Sequence, residues 1–120
     1  MIQSFRDLTV WHKAMDLAEK VYTTSDQLPR SEAFGLINQI RRAAVSIPSN
    51  VAEGKAVGGR AYIRHLRIAL GSEAELQTQV ELAIRLKMIS APNGEKLLGE
   101  TSEVGRMLTA LLRSLLRREP

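Results

Sequence analysis

The sequence predicts an all-α protein, a single up-down four-helix bundle that spans residues 1–120. Three observations support this fold. Apolar residues recur at helical spacing in four segments, no β-rich alternating run occurs, and the segments are joined by short connections. A chain of 120 residues can bury one sizeable core. Aromatic residues make up only 4% of the chain, and β-sandwich and nucleotide-binding α/β folds fit this pattern badly.

The first two predicted helices each carry one apolar stripe. The first stripe consists of Leu8, Trp11, Met15, Ala18 and Tyr22. This helix should end between Ser25 and Pro29, because proline disfavours helical geometry in the residue before it. The second helix should begin with Ser31 as its N-cap and run to about Lys55. Its stripe consists of Phe34, Ile37, Ile40, Ala44, Ile47 and Val51.

Pro48 lies inside the second stripe and should kink or interrupt that helix. Proline has no N–H, and its ring crowds the carbonyl of Ala44. Ser46, Ser49 and Asn50 are close enough in sequence to donate hydrogen bonds near the kink. The glycines at positions 54, 58 and 59 then predict a flexible joint.

The third and fourth helices have the widest apolar stripes. The third stripe consists of Tyr62, Leu66, Ala69, Leu70, Leu76, Val80 and Ala83. The third helix should end before Pro92, with Ser90 as the N-cap of the fourth helix. The fourth stripe consists of Leu97, Thr101, Val104, Leu108, Leu111 and Leu115, widened by Leu98, Leu112 and Leu116. These stripes exceed what one four-helix core can bury, which predicts that other subunits cover part of them.

Composition narrows the function classes. The absence of cysteine excludes disulfides, thiolate metal sites and cysteine nucleophiles, and the two histidines share no face that could bind a metal. We expect no metal and no cofactor. No apolar run is long enough to span a bilayer, and the N-terminal residues lack a signal peptide, so we expect a soluble cytoplasmic protein. Nothing in the sequence indicates a small-molecule substrate or a catalytic site.

Basic charge is concentrated in two regions of the chain. Residues 38–72 contain six basic residues and one acid, and residues 106–118 contain four basic residues and no acid. Because the whole chain carries only +4, the remainder is acidic. This distribution favours an anionic partner, and a solvated face that keeps the protein soluble explains it equally well.

Three segments together resemble a known bacterial family. FRDLTVWHKAMDLA, FGLINQIRRAAVSIPSNVAEG and LRIALGSEAELQTQVELA occur in the order and spacing of the four helix bundle protein family, which is also described as the ribosomal RNA intervening-sequence proteins. The resemblance covers nearly the whole chain, and it extends distantly to the accessory protein of diversity-generating retroelements, which binds nucleic acid. It implies a left-handed bundle that assembles as a homopentameric ring with a basic surface.

We therefore predict a non-enzymatic, oligomeric protein that binds the nucleic-acid backbone, RNA above all, through basic stripes and without base specificity. The candidate binding residues are Arg42, Lys55, Arg60, Arg64, Arg67, Arg113, Arg117 and Arg118, with Arg106 on the face of the last group. A separate structural polar cluster is predicted from Arg41, Asn50, Glu53, Glu75 and Gln79.

Two further hypotheses remain. The first is a protein-binding oligomeric scaffold whose arginines serve solubility. The second is a metal-independent ribonuclease centred on Arg60 and His65, whose spacing resembles that of helical-bundle nucleases, although an exposed helical histidine explains His65 as well. The segment from Gly54 to Ala61 has the glycine spacing of a phosphate loop. It lacks the required lysine and hydroxyl residue and follows a helix, so we reject it as a nucleotide site.

Overall fold

Four α-helices account for most of the chain. The computed structural model describes residues 2–32 and 35–118. The helices are α1 (Thr9–Ser25), α2 (Leu36–Val57), α3 (Gly59–Arg85) and α4 (Ala91–Arg118). Two short 3-10 helices lie at Phe5–Asp7 and Arg30–Glu32, and no strand occurs in the described ranges. The all-α prediction is therefore confirmed.

The helices form an elongated up-down bundle. α1 packs on α2, α2 on α3, α3 on α4, and α4 returns to α1, whereas the Cα atoms of the diagonal pairs α1–α3 and α2–α4 stay more than 8 Å apart. The molecule measures 48 × 22 × 21 Å. Two exposed ion pairs, Lys13–Glu103 and Lys20–Glu100, link α1 to α4. In this cyclic order, surface grooves lie between α1 and α2, between α2 and α3, and between α3 and α4.

The predicted core stripe is correct for α2 and only partly correct for α1, where Leu8 and Ala18 are buried as predicted. In α2 the described members of the stripe, from Ile37 to Val51, are all buried. Phe34 lies outside the described residues. In α1 the buried face is instead Val10, Ala14, Leu17, Ala18 and Val21. Met15 and Tyr22 are exposed and Trp11 is half-buried. The smaller residues face the core because they let α1 approach its neighbours closely.

The start of α2 also differs from the prediction. α2 begins at Leu36 after Gly35, and Ser31 belongs to the preceding 3-10 helix, so it does not cap α2. The helix continues through Pro48 without interruption and ends at Val57. The Asn50 side-chain amide donates to the Ser46 carbonyl at 2.8 Å, so the predicted donor serves that carbonyl and not the one of Ala44.

Glycines set the turn between α2 and α3. Gly58 and Gly59 both have positive φ, at 80° and 59°, which favours glycine and reverses the chain in a single step. Gly54 is buried within α2, where an added Cβ would lie 2.8 Å from the Cβ of His65. The two helices therefore cross closely at this point. At the next turn, Ser90 accepts a hydrogen bond from the Asn93 N–H, which confirms Ser90 as the cap of α4.

The C-terminal part of α4 is less covered than the rest of the helix. Leu97, Thr101, Val104 and Leu108 are buried as predicted. From residue 111 onward the leucines are only partly buried, and Leu116 is 40% exposed. The predicted excess of apolar surface on α4 is therefore present, and it is concentrated in the last two turns.

Candidate nucleic-acid interface

The predicted binding residues lie at the surface. All of the predicted arginines are exposed, and Lys55 is half-buried. Among the ion pairs formed by the described residues, none involves this set, which consists of Arg42, Lys55, Arg60, Arg64, Arg67, Arg106, Arg113, Arg117 and Arg118. Their charges are thus not neutralised by carboxylates of the described chain, and they are accessible to an anionic partner.

The antiparallel order of α3 and α4 brings the two basic regions of the sequence together. α3 begins just after the turn at Gly58, and α4 ends beside that start. Burial raises the pKa of the Tyr62 hydroxyl, and the nearby Arg118 guanidinium opposes that rise. Arg118 therefore lies within electrostatic reach of the first turn of α3, which also carries Arg60. We call this part of the molecule the basic end.

Lys55 belongs to the same end of the bundle. The pKa of the Asp7 carboxyl is lowered, first by hydrogen bonds from the N–H groups of Gln3 and Ser4 and to a smaller extent by His12 and Lys55. Lys55 is thus close enough to the start of α1 to act on Asp7. The start of α1, the end of α2, the start of α3 and the end of α4 meet at the basic end.

A groove runs from the basic end between α3 and α4. Its volume is about 550 Å³, and Arg106 and Arg113 of α4 lie along it. Thr109 and Ser102 add hydroxyl groups to the α4 side, and the α3 side consists of Leu70, Glu73 and Gln77. Arg67 precedes Leu70 by one turn. We call this feature the α3–α4 groove.

Arg42 does not join the basic end. It lies in a narrower slot of about 300 Å³ between α2 and α3, together with Gln39, Ser46, Ser72, Glu75 and Gln79. Eighteen residues of helix and turn separate Arg42 from Arg60, and the fifteen residues from Arg42 to Val57 alone rise about 22 Å at 1.5 Å per residue. Arg42 therefore lies apart from the candidate residues at the basic end.

The predicted polar cluster separates into three groups. Arg41 lies near the opposite end of α1, where it donates to the Ser25 hydroxyl at 2.8 Å and forms an ion pair with Asp26 at 2.7 Å. Its guanidinium also stacks over the Tyr22 ring at 4.6 Å. Arg41 thus pairs with Asp26, the exposed residue directly after α1, and does not meet Glu75 or Gln79.

The second group is a hydrogen-bonded chain between α2 and α3. Ser72 donates to the Ser46 hydroxyl at 2.8 Å, and the Asn50 amide donates to the same hydroxyl at 3.0 Å. The Asn50 carbonyl oxygen lies 2.9 Å from Nδ1 of His65, which also lies 3.3 Å from Glu53 Oε2. Because Asn50 uses its amide on Ser46, its oxygen accepts from His65. His65 is also buried, which corrects the expectation of an exposed histidine.

The third group is Glu75 with Gln79. Both line the slot that contains Arg42. Glu75 is exposed, whereas Gln79 is buried and its side-chain oxygen has no hydrogen-bond donor. Neither side chain joins the Asn50 and His65 group, so the cluster does not act as one unit.

Sequence reasoning missed Glu73. Its side chain is only 7% exposed, and it accepts a hydrogen bond from the amide of Gln77 at the α3–α4 groove. One signal could have indicated its burial. Glu73 lies seven residues after Leu66 and three before Leu76, so it shares their helical face. Gly105 of α4 occupies the facing position.

A second, apolar groove lies on the other side of the bundle, between α1 and α2. Its volume is about 870 Å³, and its lining includes Trp11, Met15, Tyr22, Val45 and Pro48. These α1 residues are members of the stripe that the sequence assigned to the core. The groove has little polar surface and carries no arginine, which separates it from the basic end.

The described residues offer no group of three or more metal-binding side chains. Nor does any described helix have the length and apolar character needed to cross a membrane.

Comparison with known proteins decides the family. The model of the 23S rRNA-intervening sequence protein family matches residues 6–110. The chain belongs to this family. One similar solved structure is that of a protein of unknown function from the S23 ribosomal protein family of Bacteroides thetaiotaomicron. It is 25% identical, covers 87% of this chain and 98% of its own, and superposes with a TM-score of 0.81. None of the curated proteins matches the sequence.

Proposed function

We propose that this protein is a non-enzymatic, oligomeric RNA-binding protein that holds the phosphate backbone along the basic end and the α3–α4 groove. The observation that carries the proposal is that both basic regions reach the basic end, where Arg118 of α4 lies within electrostatic reach of Tyr62 in the first turn of α3, while Arg106 and Arg113 continue the charge along the groove. Membership in the 23S rRNA-intervening sequence family supports RNA as the anion. A cytoplasmic location belongs to the same proposal.

The electrostatics predict how binding depends on salt. If about five side chains neutralise phosphates of a single strand, the slope of log affinity against log salt is about −3.5. Affinity then falls roughly 100-fold between about 50 and 200 mM salt. Aromatic residues that could stack bases do not lie along this groove, so the backbone charge accounts for most of the binding.

A matched pair of variants tests the surface. Arg64→Glu combined with Arg113→Glu and Arg117→Glu should abolish most RNA binding, measured by fluorescence anisotropy at low salt. The control reverses three exposed cations at the opposite end of the bundle, Arg85→Glu, Lys87→Glu and Lys96→Glu, and should retain most of the affinity. Each exposed substitution should change the stability by no more than about 0.5 kcal/mol. Equal losses in both variants would contradict the proposed surface.

We further propose that copies of the chain assemble, because the partly exposed leucines at the end of α4 exceed what this bundle covers. The resemblance of the sequence specifies five copies of a left-handed bundle in a ring. Light scattering coupled to size-exclusion chromatography measures the mass directly. A monodisperse monomer at micromolar concentration would contradict the assembly.

A protein-binding scaffold is the second candidate function. The specific observation in its favour is the apolar α1–α2 groove with its exposed Met15 and Tyr22. The two functions differ in one measurement. If the wild-type protein binds neither RNA nor DNA at about 50 mM salt, where backbone contacts are strong, the scaffold replaces RNA binding.

A further inference from the structure

Glu73 is a buried carboxylate at the wall of a groove that is otherwise basic. The exposed fraction of its side chain is 7%, and it lies among the groove residues with Arg106 and Arg113. Gln77 donates to Oε2, and no cation of the described chain forms an ion pair with Glu73. Oε1 accepts no hydrogen bond from the described residues. One strong acceptor is thus free at the groove.

Gly105 makes room for this carboxylate. A Cβ at position 105 would lie 2.8 Å from the carboxyl carbon and 2.9 Å from Oε1. Gly105 is inside α4, where glycine is disfavoured relative to alanine. Burying a carboxylate also costs free energy, and here Gln77 donates to one oxygen while the other oxygen borders the groove. Neither feature is explained by folding alone, since a glutamine at 73 and an alanine at 105 would remove both costs.

The chemistry of the groove selects the ligand. An ionised carboxylate only accepts hydrogen bonds, so Oε1 requires a donor. Arg106 and Arg113 attract phosphate and repel another guanidinium or ammonium group. The ligand that satisfies both conditions has an anionic backbone and a neutral group rich in N–H donors. A nucleotide of single-stranded RNA has this combination, and a groove of about 550 Å³ has room for it.

We infer that Glu73 reads a guanine base in the α3–α4 groove while the arginines hold the adjoining phosphates. Guanine presents N1–H and the N2 amino group side by side, which matches the acceptor geometry of a carboxylate, because Oε1 is free and Oε2 keeps a second lone pair beside its bond from Gln77. Uracil presents a single N–H between two carbonyl oxygens, which would face the carboxylate with like charge. The inference rests on the proposed RNA binding and adds a base preference to it, contrary to the absence of base specificity that the sequence predicts.

The first test uses the wild-type protein alone. Labelled oligouridines carry guanosine, inosine, adenosine or cytidine at one central position, and anisotropy measures their affinities against the all-uridine strand. A bidentate pair predicts that guanosine binds about 5- to 150-fold more tightly than uridine. Inosine lacks the N2 amino group and should fall between them. Equal affinities for all strands would overturn the base preference and leave the proposed RNA binding intact, whereas no binding of any strand would overturn both.

Two variants assign the preference to one side chain. Glu73→Gln keeps the shape and should erase the preference for guanosine over uridine without changing the salt slope, because a base contact releases no counterions. Glu75→Gln removes the same charge from an exposed site on the same helix and should keep the preference. A merely structural Glu73 predicts the opposite change, a similar gain of affinity for every strand. The inference would be overturned if the preference for guanosine survives in Glu73→Gln. It would also be overturned if the only change in that variant is its oligomeric mass. Circular dichroism verifies the fold, and the inosine comparison decides the outcome if the variant does not fold.

Discussion

The close crossing of α2 and α3 makes Gly54 the most stringent glycine in the bundle. In Gly54→Ala the new Cβ would lie 2.8 Å from the Cβ of His65, 3.1 Å from a ring carbon of Tyr62 and 3.3 Å from the Cα of Tyr62. Two of these atoms are fixed to the backbone, so no change of rotamer relieves the contact. The helices must separate, and overpacking of this kind costs about 1–3 kcal/mol.

Thermal unfolding monitored by circular dichroism measures the effect. For a domain of this size about 1 kcal/mol corresponds to roughly 4 °C, so the melting temperature of Gly54→Ala should fall by about 4–12 °C. Gly71→Ala is the matched control. Gly71 is exposed within α3, and an added Cβ there meets nothing within 4 Å. Because alanine is the better helix former, this control should gain about 0.5–1 kcal/mol.

The opposite signs make the result decisive. If Gly54→Ala gains stability as Gly71→Ala does, the two helices can separate freely and the tight crossing does not constrain the fold. Removing the imidazole in the same background should not rescue Gly54→Ala, since His65→Ala retains the Cβ that makes the close contact.

Two further changes test the polar groups near the basic end. Asn50→Ala should lower the free energy of unfolding by about 1–3 kcal/mol, measured by urea denaturation, because His65 and Ser46 lose their shared partner. Ser49→Ala changes the neighbouring exposed position and should alter the same free energy by no more than about 0.5 kcal/mol. Burial raises the pKa of Tyr62 in the folded state, so this hydroxyl ionises first in the unfolded chain as the pH rises. The contribution of Tyr62 to the free energy of unfolding is therefore present below about pH 10 and is lost above it. Tyr62→Phe should flatten this alkaline loss, and an unchanged profile between pH 9 and 11 would contradict the assignment.

The sequence predicts helices more reliably than it predicts which face of a helix is buried. α1 contains two competing stripes, one with Trp11, Met15 and Tyr22 and one with Ala14 and Val21, and both have helical spacing. The apolar surface area that each residue can bury would alone favour the larger residues for the core. The bundle buries the smaller ones because their volume sets how closely α1 can approach α2 and α4, and this distance depends on the partners.

Site prediction has a similar limit. Charge density along the chain correctly predicts two exposed basic regions, and the antiparallel order of α3 and α4 explains why they meet. The separation of Arg42 from Arg60 follows from the length of α2, whose predicted end near Lys55 is close to its observed end at Val57. The burial of Glu73 was not predicted, because an acid on a core face can be placed there only when the residue that faces it, Gly105, is known. A contact between helices far apart in sequence therefore explains why this residue was missed.

The position of His65 decides how the ribonuclease hypothesis should be tested. Arg60 and His65 are five residues apart, which places them about 140° apart around α3 at 100° per residue. Arg60 is exposed, while His65 faces α2 and uses Nδ1 on Asn50 and Glu53. A histidine that attacks a phosphodiester must share a surface with the arginine that binds it.

We therefore expect no metal-independent cleavage of single-stranded or structured RNA by the wild-type protein, and no change in His65→Ala. The same variant should lose about 1–3 kcal/mol of stability, because it leaves the partly buried oxygen of Asn50 without its donor. His12→Ala removes the exposed histidine that contacts the Arg6 carbonyl, and it serves as the control for nonspecific imidazole chemistry. Cleavage that persists in His12→Ala and disappears in a folded His65→Ala would require α3 to move away from α2 and would establish an enzyme. The combination of lost stability with unchanged RNA integrity assigns His65 to the α2–α3 contact.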